Sequence, residues 1–326
     1  MIEATGLCMR YGSFAALEDA SFDARAGEVV GLLGPNGAGK TTTMRILTTY
    51  LVPTAGRATV AGFDIVAQPL EARRRIGYLP EQLPLYTALE VQECLHFVGR
   101  ARGLAGSRLR ERIEWVAEAC GIAAVFHKPV LQLSKGFKQR TALAQALLHD
   151  PEVVILDEPT SGLDPHQIVE IRALVRELAK TKTVILSTHI LQEASALADR
   201  LIVMSAGRVV ARGTVPELFR HAEMHATVRV AFAADVPGAA DAIAGLEGAG
   251  KVTRVAGRPA FDVVETSAGL AARIGALGAS RGWVLTELAP REPSLEDLFL
   301  ALTQRSGGHI RPQAASAPQA ASGAAA

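Results

Sequence analysis

The chain is poor in cysteine and has almost no net charge. Its 326 residues include three cysteines, Cys8, Cys94 and Cys120, which are widely spaced and form no CxxC pair. That pattern favours neither a disulfide framework nor a zinc site, so no disulfide partner is expected. The balance of 34 basic and 33 acidic residues provides no field for gathering nucleic acid. We therefore expect a cytoplasmic protein without a nucleic-acid partner.

Long hydrophobic runs are also missing. The most apolar stretches, such as 153–156 and 184–186, have the length of strands. They fall far below the roughly 18 to 20 residues that a membrane-spanning helix needs. The opening segment MIEATGLCMRYGSF does not resemble a secretory signal. We expect the chain to form no pore of its own, so that a role at a membrane requires a separate partner.

The sequence does contain a repeated alternation of short apolar runs with amphipathic helical patterns. The runs EVVGLL (28–33), VVILD (153–157) and TVILS (183–187) are each followed by a helical segment. Such alternation predicts an α/β fold with a parallel sheet covered on both faces. Residues 84–149 show helical spacing and little strand character, which predicts an inserted helical subdomain.

A different pattern begins near residue 226. It reads as strand, helix, strand, strand, helix, strand, the order of a ferredoxin-like α+β unit, and the helical segment SLEDLFLALT is expected to close it. We therefore expect a large domain over residues 1–220 and a small accessory or regulatory domain over 221–305. Residues 306–326 are rich in Ala, Pro, Ser and Gly, which predicts a disordered tail.

The strongest motif is GPNGAGKT, which matches the phosphate-binding loop G-x-x-x-x-G-K-[ST] between a predicted strand and a predicted helix. Its glycines let backbone N–H groups turn toward phosphates, and Lys40 neutralises the β and γ oxygens. Thr41 offers a hydroxyl to Mg²⁺. The predicted nucleotide contacts of this loop are Gly34, Pro35, Asn36, Gly37, Ala38, Gly39, Lys40, Thr41 and Thr42.

Two carboxylates, Asp157 and Glu158, follow the buried run VVIL. Desolvation at such a position is costly unless a cation or a catalytic task keeps the charge there. Asp157 is the candidate ligand of Mg²⁺, directly or through water. Glu158 is the candidate general base for an attacking water, a task typically worth about 10²- to 10⁴-fold in rate.

With these motifs in place, residues 2–220 resemble the nucleotide-binding subunits of ABC transporters. The segment LSKGF (133–137) stands where that family carries its LSGGQ signature. It keeps Ser134 and Gly136 and replaces two other positions with a lysine and a phenylalanine, as in the drug- and gliding-motility-type exporters that it resembles. The resemblance implies that Ser134 and Gly136 approach the γ-phosphate of ATP.

The same resemblance implies further roles for single residues. Tyr11 resembles the aromatic residue that stacks on adenine, and Asp164 ends the segment SGLD, which looks like the D-loop. His189 resembles the switch histidine that contacts the γ-phosphate. Glu81 stands where the family usually has the Q-loop glutamine, with Gln82 beside it, and either side chain offers an oxygen to Mg²⁺.

In this family the P-loop and the signature lie on opposite surfaces of one domain. The resemblance therefore implies a head-to-tail homodimer that encloses two ATP molecules and drives a separate integral-membrane permease from the cytoplasmic face. An ABC-2-type exporter is the favoured function. The alternative is a soluble ABC ATPase acting on ribosomes or DNA, but such proteins usually carry two ATPase domains or a long coiled-coil insertion.

Overall fold

The computed structural model describes residues 1–222 and 224–305, and the predicted tail 306–326 lies outside them. The described strands are β1 (Ile2–Tyr11), β2 (Phe14–Ala24), β3 (Val29–Leu33), β4 (Ala55–Val60), β5 (Phe63–Asp64), β6 (Ile76–Leu79), β7 (Val153–Asp157), β8 (Thr183–Thr188), β9 (Arg200–Ser205), β10 (Arg208–Gly213), β11 (Thr227–Phe232), β12 (Ala249–Arg254), β13 (Ala260–Glu265) and β14 (Leu285–Arg291). The described α-helices are α1 (Lys40–Leu47), α2 (Pro69–Arg75), α3 (Val91–Ala101), α4 (Gly106–Ala119), α5 (Lys135–Leu147), α6 (Pro165–Ala179), α7 (Leu191–Leu197), α8 (Val215–His221), α9 (Ala239–Ala244), α10 (Leu270–Ser280) and α11 (Leu295–Arg305).

The central layer is a six-stranded sheet in the order β10-β9-β3-β8-β7-β6. Its strands β9, β3, β8, β7 and β6 pair in parallel, and β10 adds an antiparallel edge. Every residue of β3, β7 and β8 is buried, as expected for strands covered on both faces. The predicted parallel sheet is confirmed. The carboxyl ends of its strands meet at one edge, where the P-loop, the acidic pair and His189 follow.

A second, antiparallel sheet in the order β2-β1-β4-β5 was not expected from the sequence. Its buried residues, including Leu7 and Leu17, pack in one hydrophobic cluster with Leu32 and Ile155 of the central sheet. The hairpin of β1 and β2 thereby lies against the P-loop. An added Cβ at Gly39 would lie 3.0 Å from the carbonyl oxygen of Ala16, so this approach requires glycine.

The helices α3, α4 and α5 form the insertion that the helical spacing predicts. Their buried faces contribute Leu95, Ile113 and Leu143 to a cluster that continues into Leu156 of the central sheet. Burial of these side chains contributes about 1.5 to 3 kcal/mol each to the free energy of unfolding. The helical insertion is therefore anchored on the same sheet that carries the acidic pair.

The C-terminal strands form a separate antiparallel sheet in the order β12-β13-β11-β14. With α9 and α10 they follow the strand, helix, strand, strand, helix, strand order of a ferredoxin-like unit, which confirms the expected fold of this segment. Alternating residues of β11, Val228 and Val230, face a core shared with Ile243 and Ile274 of the two helices. One face of the sheet is therefore covered.

The expectation that the last helix closes this C-terminal unit is wrong. Leu298 and Leu302 of α11 are buried against Leu191 and Ala194 of α7, in a cluster that also contains strand β9. The apolar stripe predicted the helix correctly but did not specify its partner, because α9 and α10 already cover the small sheet. Among residues 1–222 and 224–305, no helix combines the length and apolar character needed to cross a membrane.

Candidate nucleotide site

The P-loop turns between β3 and α1 in the way its glycines permit. Gly37 and Gly39 have φ angles of 79° and 102°, in the left-handed region that other residues rarely adopt. Gly34 lies so close to β9 that an added Cβ would be 2.5 Å from the carbonyl oxygen of Met204. These positions explain the three glycines of the motif, and they leave the start of α1 open toward the pocket.

Lys40, the first residue of α1, is only 6% exposed. Its Nζ donates to the carbonyl oxygen of Gly34 at 2.8 Å and to that of Pro35 at 3.3 Å, and it lies 3.8 Å from Oε1 of Glu158. Burial lowers the pKa of Lys40, while the carboxylates of Glu158, Asp157 and Glu81 oppose that shift. The ammonium group is therefore a desolvated cation held at the phosphate loop, suited to an anionic ligand.

Asp157 ends β7 and is fully buried. Its Oδ1 accepts a hydrogen bond from the Ser187 hydroxyl at 2.6 Å and faces the Thr41 hydroxyl at 3.4 Å. Its Oδ2 is buried and has no hydrogen-bond partner among the described residues. An unpaired carboxylate oxygen beside a threonine hydroxyl fits the oxygen ligands that a hard divalent cation prefers.

Glu158 follows with a φ of 51°, the left-handed region that costs a residue with a Cβ about 1 kcal/mol or more. Its backbone N–H donates to the Ser187 hydroxyl at 3.0 Å. Its Oε2 lies 3.0 Å from Nδ1 of His189, which follows β8 and is about half exposed. Glu158 thus stands between Lys40 and His189, in a position to accept a proton from a water in the pocket.

These groups line one pocket of about 430 Å³. Its lining comprises Tyr11, Phe14, Ala16, Asn36, Gly37, Ala38, Gly39, Lys40, Thr41, Thr42, Glu81, Glu158, Ser161 and His189. The structure therefore brings together most of the residues that the sequence selects, although Gly34 and Pro35 contribute through their carbonyl groups and Asp157 lies beneath the pocket.

Two aromatic rings stand at one end of the pocket. Tyr11 and Phe14 pair across the turn between β1 and β2, and their exposed fractions are 48% and 59%. Exposed rings beside a phosphate loop provide a flat apolar surface for a base. Tyr11 was expected from the sequence, and Phe14 was not. Two strands on either side of Gly12 and Ser13 form a hairpin pattern, which would have placed Phe14 beside Tyr11.

Of the two residues expected to offer an oxygen near the P-loop, Glu81 lies at the pocket. Glu81 lines the pocket, and its carboxylate opposes the lowering of the pKa of Lys40 by burial. Gln82 is exposed and is not among the described residues that line the pocket. Ser187, which the sequence motifs did not indicate, donates to the carboxylate of Asp157 and accepts from the backbone N–H of Glu158, because β7 and β8 are neighbours in the sheet.

Three residues expected at the nucleotide, Ser134, Gly136 and Asp164, lie outside this pocket. Ser134 is the N-cap of α5, and its hydroxyl accepts from the N–H of Phe137 at 3.4 Å. Gly136 is buried against the side chain of Gln167. Asp164 is the N-cap of α6 and accepts from the N–H of Gln167 at 2.9 Å. Within one chain, none of these three reaches the space between Lys40 and His189.

The fold and the pocket together define a P-loop ATPase of the ABC class. A family model described as "ABC transporter" matches residues 17–161, and a second model, described as "AAA domain, putative AbiEii toxin, Type IV TA system", matches residues 129–195. The chain is 38% identical over 305 residues to the daunorubicin resistance ATP-binding protein DrrA3 of Streptomyces coeruleorubidus, covering 93% of this chain and 95% of that protein. The chain therefore belongs to the family of ABC transporter ATP-binding proteins.

Other relatives agree with this assignment. The chain is 35% identical to the Nod factor export ATP-binding protein I of Ralstonia nicotianae, over 94% of each chain. A solved ATP-binding subunit of an ABC transporter superposes with a TM-score of 0.63 at 32% identity, covering 68% of this chain and 92% of that one. A dimeric bacterial ABC transporter cassette superposes with a TM-score of 0.61 at 26% identity, covering 66% and 99%. The protein is thus the ATP-hydrolysing subunit of an ABC transporter.

Proposed function

We propose that two copies of this chain bind two Mg²⁺-ATP molecules head to tail and drive an exporter of the ABC-2 type through a separate integral-membrane permease. The observation that carries the proposal is the contact of Glu158 with both Lys40 and His189 in the nucleotide pocket. Export is favoured because relatives that match the chain over nearly its whole length are named for drug resistance and Nod factor export. No specific observation favours action on ribosomes or DNA.

We also assign the site roles within this proposal. Thr41 and Asp157 are the residues that would hold Mg²⁺, and Glu81, which lines the same pocket, is a further candidate oxygen ligand. Mg²⁺ would supply a positive charge for the phosphate oxygens. Glu158 orients and deprotonates the attacking water, and His189 holds Glu158 and contacts the terminal phosphate. Ser134 and Gly136 complete the site of the other copy.

The domain division follows the same proposal. Residues 1–220 contain the pocket and the signature, and residues 221–305 add the ferredoxin-like unit together with α11. The expected location is the cytoplasmic face of a membrane, where the permease holds the dimer. Binding of ATP closes the two copies on each other, and hydrolysis reopens them.

The test is the substitution Glu158→Gln. The amide cannot accept the proton of the attacking water, so turnover is expected to fall by about two orders of magnitude or more. ATP affinity is expected to remain near that of the wild type, and the ATP-bound dimer should accumulate in size-exclusion chromatography. A variant that hydrolyses ATP at the normal rate would remove Glu158 from its role. Glu177→Gln, on the solvent-exposed face of α6, is the matched control.

A further inference from the structure

A buried carboxylate on α7 connects the segment after Glu158 with the turn before His189. Glu193, in the first turn of α7, is 6% exposed. Its Oε2 accepts from the hydroxyl of Thr160 at 2.5 Å and from that of Thr188 at 3.4 Å. Both threonines are themselves buried. One carboxylate oxygen therefore joins two segments that are far apart in the sequence.

Each of these segments carries a residue of the pocket. Thr160 lies two residues after Glu158 and directly before Ser161, which lines the pocket. Thr188 ends β8 and directly precedes His189. The hydroxyl of Thr188 also accepts from the N–H of Ile190 at 3.0 Å, which fixes the turn that contains His189. Through these two threonines, Glu193 contacts the chain two residues after Glu158 and one residue before His189.

The location is costly for a negative charge. Removing a carboxylate from water costs several kcal/mol unless hydrogen bonds or a cation compensate it, and no ion pair involving Glu193 occurs among the described residues. The threonine hydroxyls do compensate it in part. Helix α5, which follows Ser134, also contacts the segment after Glu158, because Nε2 of Gln139 donates to the carbonyl oxygen of Pro159 at 3.1 Å.

We propose that Glu193 is a positioning residue for ATP hydrolysis, which holds the segment after Glu158 and the turn before His189 at the spacing that their contact requires. This inference rests on the proposed roles of Glu158 and His189. Among the described residues, Glu193 does not line the pocket, and its hydrogen bonds go to Thr160 and Thr188 rather than to the P-loop. Its loss should therefore reduce the rate of the chemical step and leave the binding of ATP almost unchanged.

The main experiment compares steady-state ATP hydrolysis in variants of the three residues. Glu193→Ala is expected to lower kcat by about 10- to 100-fold, because small displacements of reacting groups have effects of that size. The KM for ATP should stay within about twofold of the wild type. Glu193→Gln should retain a higher kcat than Glu193→Ala, since its carbonyl oxygen still accepts one hydroxyl.

The threonine variants test the same link without removing a buried charge. Thr160→Val and Thr188→Val keep the shape of the side chain and delete the donor. Each should lower kcat, and Thr160→Val should add little to the loss in Glu193→Ala, because coupled residues are not additive. Fully additive losses would overturn the inference. These variants also carry the test if Glu193→Ala fails to fold.

Gln192→Ala is the matched control, because Gln192 is the neighbouring residue of α7, is exposed and bonds to Glu296 of α11. It should keep the wild-type kcat. Unchanged kcat in the Glu193 and threonine variants, or a loss that follows reduced ATP affinity or thermal stability, would overturn the inference. The proposed function fails by a different result, namely a wild-type protein without ATP hydrolysis or a Glu158→Gln variant with normal turnover.

Discussion

The two halves of the nucleotide site differ in how complete they are within one chain. On the P-loop side, Glu158 already contacts both Lys40 and His189 in the pocket. On the signature side, Ser134 caps its own helix and Gly136 packs on Gln167. The first half is preassembled by the order of strands in one sheet. The second half has its groups on a different surface, so in the proposed dimer it acts on the nucleotide of the other copy.

This difference separates the expected effects of substitutions. A change at the phosphate contacts of the P-loop, such as Lys40, removes contacts that a single chain makes, so it should weaken the binding of ATP by that chain, whereas Glu158→Gln should affect turnover. A change on the signature side should leave that binding almost intact and impair the closed dimer. Binding and turnover therefore need to be measured separately for each variant.

The largest effect is expected for Lys40→Ala. The variant removes a buried ammonium group from the phosphate loop, and a hydrogen bond to a charged group contributes about 1.5 to 3 kcal/mol. ATP affinity measured by titration should fall about 100-fold. Lys180→Ala is the control, because Lys180 is an exposed lysine at the end of α6. Unaltered affinity in Lys40→Ala would contradict the assignment of the P-loop.

A smaller effect, confined to turnover, is expected for Ser134→Ala. Loss of the N-cap costs about 1 kcal/mol in stability, and Thr214→Ala removes an equivalent cap from α8 as a matched control. Ser134→Ala should keep ATP affinity within about threefold and lower turnover about tenfold, whereas Thr214→Ala should change neither. Equal turnover in the two cap variants would place Ser134 outside the site.

Mixing the variants sharpens the comparison. In a hybrid dimer of Lys40→Ala with Ser134→Ala, one of the two sites has both an intact P-loop and an intact signature. The mixture should therefore hydrolyse ATP faster than the mean of the two separate proteins. A rate equal to that mean would show that each chain completes its own site, contrary to the proposed homodimer.

The same two halves show what a sequence can predict. The P-loop is contiguous, so its glycines, Lys40 and Thr41 could be assigned from their spacing alone. The contacts of Asp157 with Ser187 could not, because they depend on the adjacency of β7 and β8 and on their register. Ser187 is an ordinary residue at the end of a buried strand until that adjacency is known.

The position of α11 was missed for a related reason. An apolar stripe states that a helix is buried on one face, and it does not identify the surface that covers it. The same limit applies to Glu193, whose role depends on Thr160 and Thr188 meeting at α7. Local patterns predicted the strands of the parallel sheet, the inserted helices and the P-loop, and tertiary contacts decided which elements meet.

The smallest effects are expected at Glu81 and Gln82, which the sequence could not distinguish. Glu81 lines the pocket and Gln82 does not among the described residues, so Gln82→Ala should match the wild type. Glu81→Ala removes an oxygen ligand and should raise the Mg²⁺ concentration for half-maximal hydrolysis about 2- to 10-fold.

Glu81→Gln separates the two contributions of that carboxylate. The amide keeps an oxygen for Mg²⁺ and loses the negative charge that helps to hold the pKa of Lys40 up against burial. Without that charge the pKa of Lys40 falls further, so Lys40 loses its proton at a lower pH. ATP affinity should therefore decline at a lower alkaline pH in Glu81→Gln than in the wild type, while the Mg²⁺ requirement changes little. Identical pH profiles in titrations of both proteins would show that Glu81 does not act on Lys40, and an equal Mg²⁺ requirement in Glu81→Ala would remove it from the metal site.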